Sequence, residues 1–450
     1  MVIVACGNDS LSDGVVSGTR LRARFVQGGG LRSFQAWHDT ARGETCRFDE
    51  VGDDTLRCLP PTDWADSFAD AACSAPLASH YSGACSGEPA AYVAWWSGDW
   101  CTTRRMRVWT RGAVQSPTMV YLAADGMCVA RAPDPGYLYY APGEEVALAD
   151  FVGATAVRAD APSRIDLVTL EADDGARQPW RTFDGELDAE CWTGDGVCAP
   201  TDAIWTGDYW ADDGCSVPLG IGNACGDQPR YVIDRFRPDE CTVIVTLFER
   251  GAERTAGDVY QGDATSCALA APIPEPLFEV GAALPLAPIT ERLEGDGRLR
   301  RYVTVTDDGF RHPSVRVRAW YDDDLGTRCY SANTSDGSTR CVPDGAVVGS
   351  EYFANPDCTE PQQVAFQFGP ACAAEAQEPP RFARDTIQDR PCESHVVVYQ
   401  VGPELQAGTV FALRGGVCSP VTCDPAIVRC FRVGNQLPAG RFVALAEVTE

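Results

Sequence analysis

The 450-residue sequence has no lysine. All 37 of its basic residues are arginine, and they face 64 acidic residues, leaving a net charge of −27. Without lysine there is neither a phosphate-binding loop nor Schiff-base chemistry. Histidine is scarce as well, with only His38, His80, His312 and His395. There is no G-x-S-x-G elbow, no H-E-x-x-H and no C-x-x-C spacing, which removes the common signatures of serine hydrolases, zinc proteases and metal knuckles. No cofactor or metal is therefore expected. No run of 18 apolar residues is present to cross a membrane as a helix. The acidic balance repels nucleic acid and anionic lipid, so neither is an expected direct partner.

Cysteine, by contrast, is abundant. The 21 cysteines fall into blocks of six, six and eight, with Cys6 left over. That load points to disulfides and to an oxidising, extracytoplasmic compartment. Ile3-Val4-Ala5-Cys6 has the form of a bacterial lipobox, followed by polar Gly-Asn-Asp-Ser. The stretch before Cys6 is shorter than the apolar core of about 7–15 residues in a signal sequence, so an upstream start is inferred. Cys6 is the expected lipidation site, and residues 1–15 read as lipobox remnant and linker.

Aligning the blocks brings further residues into register. An aromatic or His followed by Asp (His38-Asp39, Phe183-Asp184, Tyr321-Asp322) stands ahead of Cys46, Cys191 and Cys329. Proline follows two residues after Cys58, Cys198 and Cys341. The first cysteines lie 145 and 138 residues apart. Such agreement describes one unit in three copies, over 16–155, 156–290 and 291–450.

Within a copy the pattern is strand after strand. Leu21 to Phe25 and Val315 to Trp320 alternate apolar and charged, while Val243 to Phe248 and Val396 to Tyr399 are β-branched runs. Asp174-Gly175, Asp308-Gly309 and Asp336-Gly337 supply hairpin turns. The class is all-β. About eight strands per copy suggest a six-bladed propeller with two blades per copy, closed by the strand near Arg20 to Val26. Three consecutive small β-domains are the alternative.

Six cysteines allow 15 connectivities. Because the first gap shortens from 12 to 7 without disturbing its flanks, pairing in order is expected. The pairs would be Cys46–Cys58, Cys73–Cys85 and Cys101–Cys128, then Cys191–Cys198, Cys215–Cys225 and Cys241–Cys267. The third copy would hold Cys329–Cys341, Cys358–Cys372 and Cys392–Cys418, with Cys423–Cys430 as an addition.

Chemistry is harder to find. His38 occupies a slot that is aromatic in the other copies, and Asp39, Asp184 and Asp322 recur, so a repeated structural bond is expected there rather than catalysis. Trp95, Trp96 and Trp100, close together beside an Asp, are candidates to stack on a sugar or anchor a protein. Adjacent Trp95 and Trp96 would point to opposite faces of a strand, with at least one in the core.

The run from Trp320-Tyr321-Asp322 through Arg340-Cys341-Val342-Pro343 resembles the signature of an uncharacterised family of cysteine-rich repeat lipoproteins of high-GC Gram-negative bacteria. The resemblance covers the chain after the N-terminal tail. Copy two departs from it, lacking Arg before Cys198 and having a shorter first hairpin. It implies a compartment and a repeat, and no activity. The expectation is a lipid-anchored binding module, periplasmic or at the cell surface, with an unknown protein or glycan ligand. A carboxylate-based glycan hydrolase and a structural envelope protein are the alternatives.

Overall fold

The computed structural model describes residues 14–450 except 53–54, 84–86, 99–103, 125–126, 160–161, 224–225, 237–241, 264, 274, 315–319, 360–362, 369–378, 391–392, 407–408 and 424–427. The described chain is all-β. Apart from strands it holds only two short 3-10 turns, Leu148–Asp150 and Ala439–Arg441. No helix is long and apolar enough to cross a membrane among the described residues. Alternation drives the strands: Ile165–Ala172 buries Ile165, Val168, Leu170 and Ala172 and keeps Leu167, Thr169 and Glu171 partly exposed. Gly175 (φ +89°) and Gly309 (φ +104°) supply the left-handed turn positions that other residues resist.

The first half of each copy is an antiparallel meander. In copy one it runs Leu21–Gly28, Leu31–Asp39, Glu44–Glu50 and Leu56–Leu59; in copy two, Ile165–Ala172, Arg177–Asp184, Ala189–Gly194 and Val197–Pro200. Copy three repeats it with Leu299–Val305, Trp320–Asp322, Thr327–Asn333 and Thr339–Pro343. A segment from the end of each copy then stitches one meander to the next. Gly153–Arg158 pairs with Leu56–Leu59 on one side and Ile165–Ala172 on the other. Ala287–Pro288 pairs with Val197–Pro200, and Thr290–Glu294 then pairs with Leu299–Val305. Cys341 donates its backbone N–H to Val443, and Ala446–Thr449 pairs with Leu21–Gly28. Among the described residues the path thus returns to its first strand, with the step from Ala287–Pro288 to Thr290–Glu294 made by the chain itself rather than by strand pairing.

The second half of each copy is a separate small barrel. In copy two, Ile204–Trp210 pairs antiparallel with Pro218–Ile221, and the path continues through Leu277–Leu284, Ile244–Glu253 and Tyr231–Phe236. A parallel pairing, Ile204 with Val232, closes it. Copy three closes the same way through Ala346 and Ala383, and copy one through Thr62 and Tyr92. Halves therefore alternate between a five-stranded layer of the ring and a closed five-stranded barrel. The expected six equivalent four-stranded blades are not what these sheets form, because the barrels close on themselves through the parallel pair.

Seven disulfides are formed among the described residues. Cys46–Cys58, Cys191–Cys198 and Cys329–Cys341 each join neighbouring meander strands, and Cys423–Cys430 closes a short loop in copy three. The third cysteine corrects the expected order. Cys73, Cys215 and Cys358 pair with the sixth, Cys128, Cys267 and Cys418, at sequence separations of 55, 52 and 60. The cause is tertiary: a late hairpin folds back onto the first barrel strand, pairing Tyr121 with Phe68, Tyr209 with Gln261 and Tyr352 with Ala412. The sequential partners Cys85, Cys101, Cys225, Cys241, Cys372 and Cys392 lie outside the described residues, as does Cys6.

Contacts between copies run in a cycle. Asp174 Oδ2 of copy two accepts the N–H groups of Arg20 and Leu21 of copy one, at 2.9 and 2.6 Å. Asp308 Oδ2 of copy three accepts the N–H of Arg164 of copy two at 2.6 Å. The Gly29 carbonyl of copy one accepts the N–H of Leu299 of copy three at 3.3 Å. The cores follow the same order. Leu21 and Trp37 pack with Leu170 and Ala176; Ile165 and Cys191 with Phe310; Leu299 and Trp320 with Val26 and Leu31. Each copy's apolar face is completed by the first hairpin of the next, so burial of these side chains depends on ring assembly.

Candidate functional site

The recurring aspartates make one bond three times. Arg20 reaches Asp39 at 2.7 Å, Arg164 reaches Asp184 at 2.8 Å and Arg298 reaches Asp322 at 2.8 Å. The same arginines donate to the carbonyls of Asp150, Pro285 and Arg441, tying the start of each copy to its end. Asp184 and Asp322 are fully buried and accept backbone N–H groups from the following turn. Burial pushes the Asp39 carboxyl up, but the Arg20 guanidinium and the N–H groups of Ala41 and Arg42 outweigh it and hold it below its usual range. With both oxygens of each carboxylate bound by the arginine, these aspartates are structural ties.

A cavity of about 450 Å³ opens where the three copies meet. Copy one contributes Phe34, Trp37 and Phe48 with Ser33, Gln35 and Arg47; copy two adds Gln178 and Trp180; copy three adds Trp320, Tyr330 and Ser331. They come from the second and third meander strands, and because successive side chains alternate, Phe48 shares a face with Cys46 while Arg47 lies on the opposite face with Leu59. Phe34 and Trp37 have ring centroids 5.1 Å apart, and Phe48 meets Trp37 edge-on at 6.5 Å. Trp37 Nε1 donates to Gln178 Oε1 at 2.6 Å. An indole N–H can only donate, so it fixes the amide orientation and leaves the Gln178 NH2 as the free end. Arg384 donates to the Tyr330 hydroxyl at 2.6 Å and holds that ring. No Asp or Glu is among the described lining residues.

The ring is not fully symmetric here. Trp37 and Trp320 stand two residues before the recurring Asp, whereas copy two has Thr182. A small cavity of about 20 Å³ lies beside Thr182, walled by Trp180, Phe310 and His312. His312 Nε2 is buried with no hydrogen-bond partner. Burial lowers its pKa to about 4, with Arg301 acting in the same direction against a backbone hydrogen bond to Pro313. It is a neutral imidazole at pH 7.

The tryptophans singled out from sequence lie elsewhere. Trp95 packs against Phe68 and stacks with Trp109 at 6.3 Å, inside the first barrel. Trp96 packs against a different core cluster, under the Arg104 guanidinium at 3.8 Å. Their half-buried settings follow from adjacent positions on Tyr92–Ser97. Trp100 lies outside the described residues. His80 joins Asp63 at 3.0 Å and the Gly87 carbonyl at 3.1 Å, so both ring nitrogens are engaged. The cavity residues carried a faint signal in sequence, the tryptophan two positions before Asp39 and Asp322. Gln178, Trp180 and Tyr330 carried none.

The sequence pattern of a family of unknown function (DUF7481) matches residues 1–387. The chain belongs to this family. No curated protein matches it. No solved structure matches it either.

Proposed function

We propose that this chain is an extracytoplasmic binding module whose ligand occupies the cavity shared by the three copies. The observation that carries the reading is the convergence of the partly exposed rings of Phe34, Trp180 and Tyr330, one from each copy, on one space that also holds amide and hydroxyl groups, with Trp37 buried behind it. Apolar walls with a few placed polar groups are the usual make-up of a ligand site, and 450 Å³ is of the size such sites have. Aromatic faces beside hydroxyl and amide groups suit the two-sided character of a sugar ring, so a glycan is the favoured ligand. The lack of lining carboxylates among the described residues favours binding over acid-pair hydrolysis.

The rest of the reading concerns where the module sits. The seven disulfides suit an oxidising compartment. A lipid on Cys6 would tether the ring to a bacterial envelope, with copies over 16–155, 156–290 and 291–450. Intact mass of native material should carry a diacylglyceryl group that Cys6→Ser abolishes.

Glycan-array binding with the purified chain tests the site. Trp180→Ala should abolish the signal, while Trp96→Ala should leave it unchanged. A Trp180→Ala protein that still binds as the parent does would sink the assignment of the cavity.

A further inference from the structure

We infer that the ligand of this cavity carries an anionic carboxylate, read by Arg47, and is an acidic saccharide. The inference rests on the binding reading above and adds the charge and class of the ligand.

The chain is strongly acidic, with 64 acidic residues against 37 arginines. Most described arginines are accordingly spoken for, as Arg20, Arg164 and Arg298 are by buried carboxylates. Arg47 is different. It is exposed on Glu44–Glu50, lines the cavity, and makes no ion pair or hydrogen bond among the described residues. Its cross-strand neighbour is Leu59, which offers it no charge. The lining therefore has the opposite sign from the protein as a whole: one guanidinium and no carboxylate.

The other polar groups of the lining point the same way. Trp37 occupies the Gln178 oxygen, so that amide presents its two N–H donors. Ser33, Ser331 and Gln35 can donate or accept. A guanidinium forks onto a carboxylate through two parallel bonds, which a neutral hydroxyl cannot match. Trp180, half-buried at the wall, offers a face for a ring. A sugar ring with a carboxylate satisfies the fork, the hydroxyl partners and the aromatic wall together. A flat aromatic acid satisfies the first and third and leaves the hydroxyl and amide groups unmatched.

Tryptophan-fluorescence titration of the full chain tests this with three probes: digalacturonic acid, its neutral methyl ester and benzoate. The acid should bind, and the ester should bind at least about tenfold more weakly, because a charge-assisted bond is lost. Arg47→Gln should bring the acid down to the level of the ester, and Arg47→Lys should recover only part of the difference. Arg47 has no partner to lose, so these variants should melt with the parent. Equal binding of acid and ester, or an Arg47→Gln protein that keeps full affinity for the acid, overturns the inference while leaving the cavity assignment standing. No response to digalacturonic acid, or tighter binding of benzoate, overturns the saccharide class. If the ester binds and Trp180→Ala does not weaken it, the cavity assignment itself has failed.

Discussion

The indole of Trp37 and the amide of Gln178 meet at 2.6 Å across 141 residues of sequence, joining copy one to copy two at the cavity wall. Trp37 is 0% exposed. Phenylalanine in its place would leave the Gln178 oxygen without its donor and remove part of a packed ring. Trp37→Phe should lower unfolding free energy by about 1–3 kcal/mol in urea titrations. A Trp37→Phe/Gln178→Leu pair should recover part of that loss. Strictly additive single effects would mean the two side chains are not coupled.

Arg164 and Asp184 invite a harsher test. Asp184 is fully buried, so removing its cation strands a charge in the interior. Arg164→Ala should cost about 3–5 kcal/mol, and Arg164→Ala/Asp184→Asn less than that. Calorimetric melting of both variants distinguishes the stranded charge from simple loss of contacts.

His312 predicts an acid limb. Its folded pKa of about 4 lies below the roughly 6.5 of an unfolded histidine. The unfolded chain therefore takes up the proton first, and stability drains away as pH falls from about 6.5 to about 4. The loss is at most about 3 kcal/mol. His312→Gln, the residue type that copy two carries in the same register at Gln178, should flatten this part of the curve. An unchanged slope between those pH values would assign the acid sensitivity to other groups.

Asp39 works over a lower window. Its carboxyl is held below its usual range by Arg20, so its contribution is present above about pH 4 and is lost as pH falls through the folded value. In Asp39→Asn the fall in melting temperature below pH 4 should be shallower than in the parent.

The long disulfides can be read directly. Non-reducing peptide maps should link Cys73 to Cys128, Cys215 to Cys267 and Cys358 to Cys418. Each closes a loop of 50–60 residues, worth about 4 kcal/mol in the chain-entropy model. Replacing Cys215 and Cys267 together with alanine should therefore destabilise the chain more than replacing Cys423 and Cys430, which are only seven apart.

Local patterns made the strands, the turns and the recurring aspartates legible, but not the arginines that bind them. Alternation over Leu21 to Phe25 and the Asp-Gly steps needed no knowledge of distant partners. The barrel closures were hidden because Ile204 and Val232 pair in parallel, which no hairpin signal announces. The third-to-sixth disulfides were hidden for a related reason: short gaps favoured neighbours, while a returning hairpin chose the partner. At the cavity, Thr182 broke the Trp37 and Trp320 pattern, and Gln178 acquires its meaning only from a side chain in another copy.

Pairing of Ala446–Thr449 with Leu21–Gly28 also has a temporal side. Arg24 must wait for a partner 423 residues further along the chain. Arg24 and Arg32, near the start, find Glu447 and Glu450 only after the intervening copies exist. Contacts of such long sequence separation form slowly and leave intermediates exposed meanwhile. Until Ala446–Thr449 arrives, the edge of Leu21–Gly28 that it covers stays unpaired, so aggregation during refolding should grow with the time taken to complete the ring.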